Sequence, residues 1–175
     1  MSRKLALALA LAATPLLAGC GLHPLYAGGG HAAIAQGLED VDVPAIPGQQ
    51  GWLMRNALMD RMHPDGRKAS TGRYRLDVRL DDKLEGLGVL ANDTVGRERR
   101  TLRARYQLVD TATGDILLDA TAGSDAGIDV VSSEYATVAA EQTALENLTR
   151  VVADRIVTSL AVRLRQEAAK GESVR

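Results

Sequence analysis

Two sets of side chains in this 175-residue sequence have the types and spacing for chemistry. One is a single thiol, Cys20. The other is a group of arginines, Arg73, Arg75, Arg79, Arg97, Arg99, Arg103 and Arg105, that fall at odd-numbered positions of two charged stretches. A lone cysteine cannot close an internal disulfide or build a four-cysteine zinc site, which leaves a free thiol, an intermolecular bond or covalent modification. Guanidinium groups donate paired, parallel hydrogen bonds that fit phosphate and carboxylate. Catalysis finds little support: His23, His31 and His63 stand in no Ser/His/Asp, His-Glu-x-x-His or Cys/His setting. Gly28-Gly29-Gly30 lacks the preceding strand and the following Lys-Ser/Thr of a phosphate loop. The chain therefore reads as a non-enzyme with neither metal nor cofactor.

The surroundings of Cys20 select among its chemistries. Arg3-Lys4 is followed by an apolar run from Leu5 to Ala18, broken only by Thr14 and Pro15. A basic end and a short hydrophobic stretch closing on small residues have the layout of a secretory signal. Leu17-Ala18-Gly19-Cys20 resembles the lipobox of bacterial lipoproteins, in which the thiol takes a diacylglycerol, the Gly19–Cys20 bond is cut and the new amine is acylated. At about 0.8 kcal/mol per buried methylene, several acyl chains make the attachment effectively permanent. Residues 1–19 are thus expected to be removed. Gly21, rather than an aspartate, follows Cys20, which points to sorting to the outer membrane, facing the periplasm.

Cleavage would remove Arg3 and Lys4 but no acid, leaving 19 basic against 22 acidic residues. One Trp, four Tyr and no Phe leave few side chains on which nucleic-acid bases could stack, so no nucleic-acid partner is expected. Residues 20–37 are Gly- and Ala-rich without a sustained period, as a flexible tether would be. Residues 38–168 form the expected single domain, and 169–175 a frayed, disordered tail.

The elements that must position the arginines follow from periodicity. A first strand is expected over Leu38 to Val43, bounded by Pro44 and Pro47, then a helix from Gln50 to Met62 with Leu53, Met54, Ala57, Leu58 and Met62 on one stripe. Tyr74, Leu76, Val78 and Leu80 alternate with Arg73, Arg75, Asp77 and Arg79. Leu102, Ala104, Tyr106 and Leu108 alternate with Arg97, Arg99, Thr101, Arg103 and Arg105. These are two half-buried strands joined by a hairpin whose tip is Gly86 to Asn92. A third strand after Thr113-Gly114 points Ile116, Leu118 and Ala120 inward and Asp115, Leu117 and Asp119 outward. Ser132-Ser133 caps a last helix reaching about Gln166, with a stripe of Val138, Leu145, Leu148, Val152, Ile156, Leu160 and Leu164 and a Glu146–Arg150 pair. The fold class is α+β: a two-layer sandwich of order β-α-β-β-β-α, with two helices on one face of a mostly antiparallel four-stranded sheet.

If the long strands pair as a hairpin, all seven arginines face away from the helices, relieved locally by Asp77, Asp115 and Asp119. Such a face is either a solvated surface with weak cross-strand ion pairs or a binding surface for an anionic partner.

Past the lipobox, Gly21-Leu22-His23-Pro24-Leu25-Tyr26 resembles the start of the proteobacterial lipopolysaccharide-assembly lipoproteins, LptE, with His23 where the family pattern has arginine. The element order is similar to that family's as well. The resemblance implies a lipid-anchored subunit of the outer membrane that plugs and helps assemble the LptD β-barrel and binds lipopolysaccharide on its way to the cell surface. It carries no residue-level motif for ligand contact, so the arginine face rests on the strand pattern alone. The alternative is a periplasm-facing structural or adaptor lipoprotein with another protein partner.

Overall fold

The computed structural model describes residues 36–64, 66, 72–89 and 95–173. The leader, Gly19, Cys20, the tether as far as residue 35 and residues 90–92 of the expected hairpin tip lie outside the described residues. In chain order the elements are β1 (Val41–Asp42), α1 (Gln49–Met62), β2 (Tyr74–Val89), β3 (Val95–Asp110), β4 (Ile116–Asp129) and α2 (Glu134–Ser173). The sheet order is β1-β2-β3-β4, with β1 parallel to β2 and the other neighbours antiparallel. The expected α+β two-layer sandwich is what forms.

The first strand is shorter than expected, for identifiable reasons. Residues 36–39 form a helical turn closed by the Asp40 N–H on the Gln36 carbonyl at 3.0 Å. β1 pairs only Val41 with Tyr74 and Asp42 with Arg75. Beyond that, the Val43 carbonyl accepts from Arg55 Nε at 2.9 Å, and Pro44 has no N–H to give a ladder. The chain then turns into α1 through Gly48 at φ +83°, a backbone region that L side chains rarely adopt. Gly51 lets the helix start lie on the incoming segment, since a Cβ there would come 2.3 Å from the Ile46 carbonyl oxygen.

β2 and β3 carry the expected alternation farther than expected. Gly86 to Val89, taken as the hairpin tip, continue the strand, and the ladder runs on to Val89 opposite Val95. In β4, Leu108 faces Leu118 but Val109 faces Ile116, so Leu117 is the extra residue of a bulge. Ile116, expected inward, is 56% exposed in consequence, and Leu117, expected outward, packs against the core.

The Ser133 hydroxyl accepts from the Ala136 N–H at 3.4 Å and so caps α2. The helix continues to Ser173, through residues expected to fray. Its stripe from Leu148 to Leu164 is buried in one cluster with Leu76, Leu102, Tyr106 and Leu108 of the sheet and Met54, Leu58 and Met62 of α1, and Leu145 is buried as well. Val138, expected in that stripe, is 56% exposed. It stands a turn ahead of the level at which α1 begins, where Gln49 Nε2 donates to Gln142 Oε1 at 3.0 Å. The expected Glu146–Arg150 pair is replaced: Glu146 accepts from Gln142 and Arg150 donates to Asn147, each at 3.0 Å.

The two helices run parallel. At the far end of their contact Arg61 binds Asp154, and it also donates to the Arg150 carbonyl at 3.2 Å. Both the Gln49–Gln142 and Arg61–Asp154 contacts join residues 93 apart in sequence, so the helices pack in constant register. The Arg61 hydrogen bond holds the Asp154 carboxyl below its ordinary value. His63, buried at the end of α1, donates its backbone N–H to the Met59 carbonyl and sets Nε2 3.0 Å from the Glu39 carbonyl. Because a carbonyl only accepts, that ring nitrogen carries the proton.

Candidate functional site

Strand register decides which arginines meet. Residues directly opposite one another share a face, and Arg79 faces Arg105, Asp81 faces Arg103, Glu85 faces Arg99 and Leu87 faces Arg97. Arg75, two positions before Asp77, lies on the same side, so six of the seven arginines share the sheet face away from the helices. Arg73 does not join them. It precedes β2, and its guanidinium sits 5.0 Å from the centroid of the buried Tyr74 ring, with Nε 3.9 Å from Asp110 Oδ2. Tyr74 and Asp110 pair on the helix-facing side.

The face is far less one-signed than the sequence reading made it. Lys83 joins the arginines, but Asp81 and Glu85 on β2 and Asp125 and Asp129 on β4 join Asp77 and Asp119. Asp115 lies just before β4. The missed acids of β2 carried a usable signal, because charged residues continue at odd positions through Asp81, Lys83 and Glu85, whereas those of β4 sit among small residues. The result is three stripes: alternating signs along β2, positive along β3 and negative along β4.

Many of these charges satisfy one another. Arg75 Nε is 3.1 Å from Asp77 Oδ1, Arg97 Nε 2.9 Å from Asp129 Oδ1, and Lys83 Nζ 3.5 Å from Asp81 Oδ2. Arg105 Nη2 and Gln107 Nε2 both donate to Asp119 Oδ2, at 2.9 and 2.8 Å. The Arg105 hydrogen bond, then the Gln107 one, pull the Asp119 carboxyl below its ordinary value. Among the described residues, Arg79, Arg99 and Arg103 are exposed and make no ion pair. They are the cations of this face that remain available to an outside anion. Arg79 also borders a groove of about 430 Å³ that separates the Pro44–Ile46 segment from Leu76 to Arg79 of β2, with Arg105 and Gln107 on its rim.

The helix-facing side holds a charged pair that sequence reasoning missed. Arg100 grips Asp82 with both arms of its fork, Nε to Oδ1 at 2.9 Å and Nη2 to Oδ2 at 2.6 Å, and donates Nη1 to the Glu141 carbonyl of α2 at 3.0 Å. The side chains are only 16% and 13% exposed. The hydrogen bond to Asp82 raises the Arg100 value above its ordinary one. The signal was present as opposite charges on the apolar parity of both strands. No helix among the described residues is long and apolar enough to cross a membrane.

A two-layer domain with parallel helices on one sheet face and an open, charged face on the other is an architecture already seen in lipoproteins. A candidate lipoprotein from Caulobacter crescentus matches with a TM-score of 0.62 at 22% identity, covering 76% of this chain and 96% of its own. Rare lipoprotein B from Shewanella oneidensis matches with a TM-score of 0.50 at 12% identity, over 70% of this chain and 92% of its own. No curated protein matches the sequence. The model of the LptE family, lipopolysaccharide-assembly, matches residues 38–160, well over half the chain. The chain belongs to the LptE family.

Proposed function

We propose that this chain is an outer-membrane lipoprotein, anchored through N-acyl and S-diacylglycerol groups on Cys20 after cleavage at Gly19–Cys20, that plugs and helps assemble the LptD barrel and binds lipopolysaccharide. Membership of a lipopolysaccharide-assembly family supports this role. The observation that carries it is the trio Arg79, Arg99 and Arg103, exposed on the open sheet face and free of ion pairs among the described residues. Lipid A and the inner core are anionic, and guanidinium forks suit their phosphates. Binding, not bond-making, is the work such a face performs, and it needs no cofactor.

Two measurements test the reading. The detergent-solubilised protein should bring down a large outer-membrane β-barrel, and a pull-down without one removes the plug role in favour of an adaptor for some other protein. Changing Arg79, Arg99 and Arg103 to Glu should abolish lipopolysaccharide binding while leaving far-ultraviolet circular dichroism unchanged. Undiminished binding by the folded triple variant would reduce the face to solvated surface. Mass spectrometry of the mature N-terminus checks the anchor, with loss of acylation expected for Cys20→Ala.

A further inference from the structure

Arg103 is free for a reason that lies on the neighbouring strand. On β4, Asp129 binds Arg97 and Asp119 binds Arg105, but the residue opposite Arg103 is Gly123. With no side chain in the way, Arg103 lies over the glycine, and a Cβ on Gly123 would come 3.1 Å from Arg103 Cγ. A second guanidinium reaches the same residue from the helix layer, where Arg155 of α2 donates Nη1 to the Gly123 carbonyl. The neighbours of Gly123 on the helix-facing side are Ala122 and Ser124, small enough to let α2 lie close to the strand.

The backbone adds a donor. The Val130 N–H donates to the Gly96 carbonyl at 3.2 Å, so even-numbered residues of this part of β4 turn their polar groups toward β3 and odd-numbered ones turn theirs outward. β4 is the last strand of the sheet, so Gly123 presents its N–H at a free edge, beside the carbonyl that Arg155 holds. Arg155 is exposed and joins no ion pair among the described residues. Its neighbours three and four positions away on α2, Val151, Val152, Thr158 and Ser159, carry no charge, and the adjacent Asp154 is bound by Arg61. Asp81, across from Arg103 on β2, is paired with Lys83. That leaves Asp125, exposed two residues along β4. It repels a second anion at that side but accepts hydrogen bonds from hydroxyl groups.

A carboxylate is satisfied by one guanidinium fork, whereas a phosphate monoester offers three terminal oxygens. Two forks and an N–H beside an acceptor for hydroxyls suit a phosphate carried on a sugar. We infer that Gly123, with Arg103 on the sheet face and Arg155 from α2, is a phosphate site, so that the binding surface wraps round the β4 edge onto the helix layer. The inference rests on the lipopolysaccharide reading and adds Arg155 to it. The full chain in detergent, titrated with bisphosphorylated and with dephosphorylated lipid A, provides the test. Arg155→Gln should weaken binding of the bisphosphorylated form at least about tenfold and leave binding of the dephosphorylated form unchanged. Arg103→Gln together with Arg155→Gln should cost less than the product of the two single losses, because both side chains hold one phosphate. Equal loss for both lipids would make Arg155 a structural residue, and losses that multiply would put the two arginines on separate anions; either overturns the inference. Displacement of the lipid by inorganic phosphate at matched concentration would make this a site for free phosphate, which also overturns it. A wild-type chain that binds neither lipid removes the lipopolysaccharide reading as well, whereas undiminished binding by Arg155→Gln removes this inference alone.

Discussion

The two faces of the sheet are cut from the same alternating strands, yet they treat charge in opposite ways. Toward the helices, Arg100 and Asp82 are nearly buried and held by a two-armed fork, with a third bond to α2. On the open face, Arg97 and Asp129 lie at a similar distance, but their side chains are 64% and 73% exposed. A buried pair is costly to break because removing one partner strands the other charge away from water. An exposed pair is screened, and its loss is made good by solvent. Stability therefore resides on one face, and the other is free to serve partners.

Substitutions can break that contrast in order of size. Leu108→Ala, in the fully buried layer between sheet and helices, should cost about 2–5 kcal/mol in urea unfolding. Asp82→Ala should cost about 2–4 kcal/mol, because Arg100 is left unpaired beneath α2. Replacing Arg100 and Asp82 together with leucines should recover most of that loss, whereas a double variant as unstable as the single one would deny the stranded-charge account. Arg97→Ala should cost under about 1 kcal/mol by the same assay, and a larger loss would erase the difference between the faces.

The smallest effect is on acid stability. Asp119 and Asp154 both have carboxyls depressed from the ordinary 3.8 by hydrogen bonds from Arg105 and Arg61 respectively. A depressed folded value means that the contribution is present above the unfolded value and is lost as pH falls through the folded one. Denaturation midpoints should therefore decline below about pH 4. Asp154→Asn should show the shallower decline, having already lost its share, and an unchanged acid limb would show that the Arg61 contact contributes nothing measurable.

How much of this was legible in the sequence depended on whether neighbours spoke as clearly as the residue itself. Strict alternation from Tyr74 to Leu80 and from Leu102 to Leu108 placed the hairpin and assigned its faces, because period two admits no other helix-covered surface. The same rule, followed past Leu80, would have found Asp81, Lys83 and Glu85 on the open face; the glycines from Gly86 on suggested a turn where cross-strand pairing kept the strand going. Ile116 could not be placed without the bulge, which is a property of two strands together and leaves no mark on one. Arg73 looked like another member of the arginine set, but one position outside the ladder its side chain was free to turn to Tyr74. Val138 had the right spacing for the helix stripe, and only the level at which α1 begins decided that it stays in water. The sign balance of the face likewise needed β4, whose acids sit among small residues with no strong pattern of their own.

The parallel packing of the helices bears on how the chain comes into being. The partners Gln49–Gln142 and Arg61–Asp154 are separated by 93 residues. At a synthesis rate of about 5–20 residues per second, α1 emerges roughly 5–20 s before the helix that covers it. For that interval Met54, Leu58 and Met62 have no finished surface to rest on, and the meander of three strands must be laid down before they do. The protein's most vulnerable moment thus comes early, while the N-terminal third waits for the C-terminal third, and a chaperone that shields α1 over that span would act at the point of greatest need.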